Sequence, residues 1–367
     1  MKIVEIIHAL NPGGAERLLV DLSNRFVQDE DTEVFVIALK NRDPRNENFY
    51  VGELSRKIHF IPMGFGDGVN LSYPLKIYKV LQKIKPDVVH IHCVFKYLIL
   101  PIIMKRNCKY VITLHNKAEE GFPGFQKHVL YFLLRKKLIN IVTISDTNQE
   151  SLRNYLNQNN DVLIYNGRKQ PEKTASYPDI EKFFLQIRTT SKTIILLAIA
   201  KCSVQKNLGL LISSINALNN EKELNLDFKL LILGDGYHDS ELGLELLTFA
   251  SDSIIFLGPK NNVADYFYLC DAFCLSSLFE GMPITLIEAL ACECITISTP
   301  VSGIIDIIHD GKTGFISPDF SEENYKKTLL CFIEKRREVN KSELKEMFLK
   351  YYSIDKCAEA YYRLFVS

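Results

Sequence analysis

Two carboxylates, Glu280 and Glu288, are separated by seven residues in the segment Phe279-Glu280-Gly281-Met282-Pro283-Ile284-Thr285-Leu286-Ile287-Glu288. Glycine followed by proline announces a turn and then a helix, with Pro283 at or near the first helical position, where its missing N–H costs nothing. The amides of Met282, Ile284 and Thr285 then point outward. Thr285 and Glu288, three apart, share a helix face, while Glu280 lies in the preceding loop. The two carboxylates would therefore approach one ligand from different levels. Glu288 interrupts an otherwise apolar helix, and a buried carboxylate is costly unless paired. A pair of ligand hydroxyls is one suitable partner.

Other groups carry charge or open backbone. In Ala200-Lys201-Cys202-Ser203-Val204-Gln205-Lys206-Asn207, two lysines sit in a loop after an apolar strand and before a helix. Open α/β sheets bind ligands at that end of their strands. Ammonium groups suit a diphosphate and would stabilise a departing nucleotide; the alternative is a pair of solvated surface lysines. Asn11-Pro12-Gly13-Gly14-Ala15-Glu16-Arg17 places a glycine pair between a strand and a helix, where backbone can approach an anion. It lacks the GxGxxG spacing of dinucleotide binders, and packing alone could require such glycines. His115 ends the run KYVITLH. His90 and His92 alternate with Val89 and Ile91 and are read as structural. Asp29-Glu30-Asp31 lies between the first helix and the second strand and reads as a solvated acidic turn rather than a metal site.

The elements that must position these groups are legible as alternation. KIVEIIHAL, TEVFVIALK, KIHFIPM, DVVHIH, KYVITLH and NIVTIS are short, rich in Ile and Val, and separated by helical patterns such as Ala15 to Gln28 and Tyr73 to Lys85. This is the signature of a parallel sheet. TIILLAIA, FKLLILGDG, SIIFLGP, AFCLSS and CITISTP repeat it from Thr193 onward. The 367 residues exceed one compact core. The expected fold class is α/β, with two Rossmann-like domains. Expected boundaries are 1–170 for the first domain, 171–190 for a proline-containing connection, 191–351 for the second domain, and 352–367 for a terminal helix capped by Ser353.

Composition narrows the partners. The chain is 47% hydrophobic and 24% charged, and its 44 basic and 44 acidic residues cancel, which excludes the cationic field of a nonspecific nucleic-acid binder. Nine cysteines with no CxxC pair read as reduced thiols, and Cys292-Glu293-Cys294 lies in an apolar run. The amino terminus reads as a first strand rather than a signal peptide, and no stretch approaches a membrane span. A cytoplasmic protein is expected.

Taken together, these motifs resemble the retaining glycosyltransferases of the large GT-B group often called family 4, marked by two glutamates separated by seven residues. The resemblance runs through GGAER, TLHN, ISDTNQE, YNG, the lysine loop, LGDG, FLGP, EGMPITLIEA and DGKTGF. It implies two facing Rossmann-like domains with a cleft between them, an acceptor-side first domain, a donor-binding second domain, and a final helix returning to the first. It assigns Glu288 to the ribose hydroxyls, and Glu280 with the amides of Gly281, Met282, Pro283, Ile284 and Thr285 after it, proline apart, to the transferred sugar. Lys206 matches the phosphate-binding lysine. Lys201 stands where arginine is usual, keeping the charge but losing the bidentate fork. Gly13 and Gly14 match the loop that closes over the diphosphate, His115 a histidine near the reacting sugar carbon, and Gly258 a backbone site for the base. The resemblance implies retention, with the departing diphosphate as base, no cofactor and no metal.

The expected donor is a nucleoside diphosphate hexose or N-acetylhexosamine, with UDP as the nucleotide. The acceptor would be a saccharide or a lipid-linked saccharide in cell-surface polysaccharide synthesis. Phe125 to Lys137, and Lys105, Arg106 and Lys109 after another apolar segment, could touch an anionic membrane; buried helices with basic ends are the alternative. A nucleotide-sugar epimerase of the same fold and a non-catalytic nucleotide-sugar-binding subunit are the rival readings.

Overall fold

The computed structural model describes residues 1–40, 49–66, 70–104 and 107–367. The chain divides into two compact units, Met1–Lys169 with Tyr351–Ser367, and Gln170–Lys350.

In the first unit, seven strands form a parallel sheet: β1 (Lys2–Ile7), β2 (Glu33–Lys40), β3 (His59–Phe65), β4 (Val88–His92), β5 (Lys109–Leu114), β6 (Asn140–Thr143) and β7 (Asp161–Leu163). Their order is β3-β2-β1-β4-β5-β6-β7. Near-continuous Ile and Val runs suit strands covered on both faces. Val4 and Ile6 pack with Ile77, Leu98 and Leu130 on one side, while Ile3 and Ile7 pack with Leu18, Leu22 and Phe26 on the other. The order reverses between β1 and β4, which leaves a crevice at the carboxyl ends of those two strands.

The terminal helix Ile354–Val366 belongs to this unit. Ser353 caps it by accepting a hydrogen bond from the Lys356 amide at 3.4 Å. Its Tyr361 and Phe365 join the core beside Leu18 and Phe26, and Arg25 donates to Asp355 at 2.6 Å.

The second unit repeats the plan with β8 (Thr193–Ile199), β9 (Asp227–Leu233), β10 (Ile254–Gly258), β11 (Ala272–Leu275), β12 (Thr296–Ser298) and β13 (Gly314–Ile316). All pair in parallel, in the order β10-β9-β8-β11-β12-β13, with the reversal between β8 and β11. The helices Leu208–Asn220 and Glu322–Lys335 cover one face through Leu211, Ile215, Leu329 and Phe332.

Two details differ from the sequence expectation. The segment 171–190 contains the helix Tyr177–Ile187, whose buried Phe184 packs on Tyr266 at 6.2 Å between ring centroids. Part of the expected connection is thus an element of the second unit, its apolar face hidden among polar neighbours. β7 and β13 were not anticipated; each has three residues and carries no apolar run.

Candidate active site

In the second unit the groups converge at the carboxyl ends of β8 and β11. The loop after β8 ends in a short turn, Val204–Lys206, and Lys206 Nζ reaches Glu280 Oε1 at 2.6 Å. Ser277 Oγ donates to the same oxygen at 2.6 Å. Glu280 keeps only 7% of its side-chain surface exposed. Three further bonds lock the two loops together: Leu278 N to Gln205 O at 2.8 Å, Gln205 Nε2 to Phe279 O at 2.9 Å, and Ser276 Oγ to Lys206 O at 2.9 Å. Lys206 and Glu280 are therefore held by backbone on both sides, not only by each other.

The helix Ile284–Ala291 begins directly after Pro283, which has φ −68° in the N-cap position. The amides of Ile284 and Thr285 open the helix and have no acceptor within it, which makes this end receptive to negative charge. The turn holding Gly281 is fixed from outside. Gly303 has φ +78°, and a Cβ there would overlap the Gly281 carbonyl oxygen. Only glycine supplies both that backbone angle and that clearance. Met282 and Pro283 are buried, and Glu288, one turn into the helix, is 5% exposed.

Lys201 is not drawn into this group; it is exposed, whereas Lys206 is half-buried. Its loop is nevertheless well anchored, since Ala200 N and Cys202 N donate to Leu233 O and Asp235 O, both at 2.8 Å. Gly258 ends β10 with φ +69°, and the space where a side chain would project is open.

The first unit concentrates its chemistry at β1, β4 and β5. Gly13 is extended at the N-cap of the helix Gly14–Phe26, and a Cβ there would overlap the Glu16 carboxyl. Burial pushes that carboxyl up to about 7. His115, just beyond β5, meets His92 through Nε2 and Nδ1 at 2.9 Å. His92 Nε2 lies 2.9 Å from Glu5 Oε2, and His90 Nδ1 lies 2.9 Å from the same oxygen. His90 Nε2 meets Thr113 Oγ1 at 2.7 Å, and that hydroxyl meets Tyr361 OH at 2.7 Å. Glu5, His90 and His92 are fully buried.

Burial would raise the Glu5 carboxyl, but the charge and hydrogen bonds of His90, with those of His92, hold it at about 2. Burial lowers His92 to about 4, helped by His90, and drives His115 well below the usual imidazole value. The ligand atoms of Glu5, His90 and His92 lie within 4.8 Å of one another, the spacing of a metal site. All three are occupied by the hydrogen bonds just described, so a cation would have to break them.

His90 and His92 are thus internal, as their strand alternation suggested, but they are wired to His115. Glu5, Glu16 and Ser277 were not picked out as site residues in the sequence. An acid inside KIVEII was the available signal for Glu5, and Ser277 three residues before Glu280 offered none. Asp29 lies 3.5 Å from Arg25 on an exposed turn, and all nine cysteines are free thiols.

On the helix Phe125–Arg135, Leu130, Leu133 and Leu134 face the core while Phe125 (76%) and Phe132 (51%) are exposed. Arg135, Lys136 and Lys137 are exposed beside them. Lys105 and Arg106 lie outside the described residues. No helix among the described residues is long and apolar enough to cross a membrane.

Comparison with known proteins adds to this geometry. Residues 179–350 match the family described as glycosyl transferases group 1, and residues 12–168 match glycosyltransferase family 4. A capsular polysaccharide biosynthesis glycosyltransferase of Staphylococcus aureus is 21% identical over 355 residues, covering 93% of each chain. A Campylobacter jejuni protein named GalNAc-alpha-(1->4)-GalNAc-alpha-(1->3)-diNAcBac-PP-undecaprenol alpha-1,4-N-acetyl-D-galactosaminyltransferase is 24% identical over 368 residues, covering 95% of this chain and 98% of its own. Among solved structures, Anabaena HepE in complex with UDP and glucose superposes with a TM-score of 0.80 at 16% identity, over 100% of this chain and 99% of that one. At such identity the likeness is one of fold.

Proposed function

The chain belongs to the glycosyl transferases group 1, with the GT-B fold, and from there we propose a retaining hexosyl or N-acetylhexosaminyl transfer from a UDP-sugar. The acceptor is a saccharide or lipid-linked saccharide, and the product serves cell-surface polysaccharide synthesis. The observation that carries the reading is the Lys206–Ser277–Glu280 group at the head of the helix that also bears Glu288. Relatives named for capsular polysaccharide and undecaprenol-linked saccharides support the acceptor class, and the UDP complexes of a fold neighbour support the nucleotide.

In this reading Lys206 and the helix-opening amides neutralise the diphosphate as it departs. Both bonds at Glu280 use Oε1, which leaves Oε2 to accept from a sugar hydroxyl. Glu288, buried one turn into the helix, receives the ribose hydroxyls. The open space at Gly258 takes the base. In the first unit, His115 contacts the sugar beside its reacting carbon and the Gly13–Gly14 turn approaches the diphosphate. The departing diphosphate takes the acceptor proton on the face that it leaves, which preserves the anomeric configuration. Lysine and amides supply the charge that a divalent cation supplies elsewhere, so no metal is required. The exposed Phe125 and Phe132, next to Arg135, Lys136 and Lys137, rest on the anionic cytoplasmic face of the membrane, where a lipid-linked acceptor would be met.

The test is incubation of the purified protein with UDP-glucose, UDP-galactose and their N-acetyl counterparts, with and without undecaprenyl-diphosphate saccharides. UDP release that requires acceptor, an α-linked product by NMR and undiminished turnover in chelator support the proposal. An epimerised nucleotide sugar formed without acceptor, or a β-linked product, contradicts it.

A further inference from the structure

The buried group behind His115 has a direction that follows from hydrogen-bonding chemistry. A carboxylate has no proton to give, so His92 Nε2, 2.9 Å from Glu5 Oε2, must carry the hydrogen of that bond. An uncharged imidazole has only one N–H. His92 Nδ1 is then a bare acceptor, and its 2.9 Å contact with His115 Nε2 must be donated by His115. An uncharged His115 that spends its hydrogen inward is left with Nδ1 as a lone-pair acceptor. The protonation states needed are those the site favours: Glu5 held at about 2, His92 at about 4, and His115 well below an ordinary imidazole through burial.

The carboxylate is itself fixed. It lies on β1 opposite His90 of β4, and His90 donates to it from the other side. His90 is braced in turn through Thr113 to Tyr361 of the terminal helix.

We propose that Glu5 and His92 are positioning residues: they set the tautomer of His115, so that it offers Nδ1 as an acceptor to a hydroxyl of the bound sugar. This rests on the reading that His115 contacts the transferred sugar. The wrong tautomer would present an N–H instead, and a sugar hydroxyl would have to reverse its own hydrogen bond to meet it. Orientation of this kind acts at a distance of two side chains from the ligand, and loss of such a partner commonly costs about 10- to 100-fold.

The wild-type protein, labelled with nitrogen-15 in histidine, tests the tautomer without any substitution. His115 with Nε2 protonated and Nδ1 unprotonated near pH 7.5 supports the proposal; the reverse assignment overturns it. His92→Phe removes the acceptor, and Glu5→Gln supplies an amide able to donate where the carboxylate could only accept. In both, kcat should fall about 10- to 100-fold with donor KM within about twofold, and the His115 ring should lose its single tautomer. His115→Ala separates the two claims. Wild-type turnover in His115→Ala removes that residue from the reaction and overturns both. Low turnover in His115→Ala beside wild-type turnover in folded His92→Phe overturns the positioning role alone.

Discussion

At the β1/β4 reversal of the first unit a fully buried carboxylate is enclosed by imidazoles, whereas at the β8/β11 reversal of the second a half-buried lysine and a loop carboxylate stand before a helix N-terminus. The same sheet geometry has been given opposite electrostatics. The first group is closed, with its polar atoms spent on one another. The second sets a lysine–carboxylate ion pair before a helix whose opening amides have no acceptor within it. In the proposed reading one unit orients and the other grips.

Removing the centre of each group should produce different losses. Glu5→Ala leaves two buried rings without their acceptor and should destabilise the first unit by about 3–5 kcal/mol. Hydrogen exchange should show faster opening of β1 and β4 with β8 and β9 unchanged; equal opening in both units would erase the contrast.

Acid should act on the same unit. His92 titrates near 4 in the fold but near 6.5 when unfolded, so its contribution is complete above pH 6.5 and is lost as pH falls toward 4. The loss is roughly 3 kcal/mol by linkage. Glu5, held at about 2, adds to it below pH 4.5, while the packed neighbours Thr113 and Tyr361 stay neutral. Glu16 works the other way, favouring the fold below pH 4.5 and less so as pH rises through 7. In Glu16→Gln, which removes that opposing carboxyl, hydrogen exchange at pH 8, 6 and 5 should show β1 and β4 weakening before β8 and β11.

In the second unit the effect is on turnover. Lys206→Ala should lower kcat/KM about 100-fold or more, the usual cost of removing one preorganised partner of developing charge. Lys201→Ala, at an exposed lysine, should cost about threefold, the scale of a surface charge. Steady-state kinetics with a UDP-sugar would decide both, and equal losses would mean that Lys201 moves into the site when donor binds.

Much of this was readable in the chain. Eleven apolar runs became β1–β6 and β8–β12, because strands buried on both faces must be apolar at nearly every position. β7 and β13 were invisible, since a three-residue edge strand is defined by its neighbour's hydrogen bonds rather than by its own composition. The helix Tyr177–Ile187 was lost inside a polar stretch with two prolines. At the site, glycine, proline and a charged residue in an apolar helix revealed 280–288, because each is costly unless used. Which of two lysines turns inward was not readable; that is set by Gln205, Ser276 and Leu278 locking the loops together. The link from Glu5 to His115 depends on strand order, and residues 5, 90 and 115 meet only once β1, β4 and β5 lie side by side.

The central claim is that the second unit grips the nucleotide diphosphate through Lys206 and the helix that carries Glu288. Calorimetric titration of UDP into the wild type, Lys206→Ala and Glu288→Ala tests it most directly. The account predicts that each substitution weakens UDP binding at least about tenfold, about 1.4 kcal/mol, while unfolding temperatures stay within a few degrees. Wild-type affinity for UDP in both folded variants would contradict it.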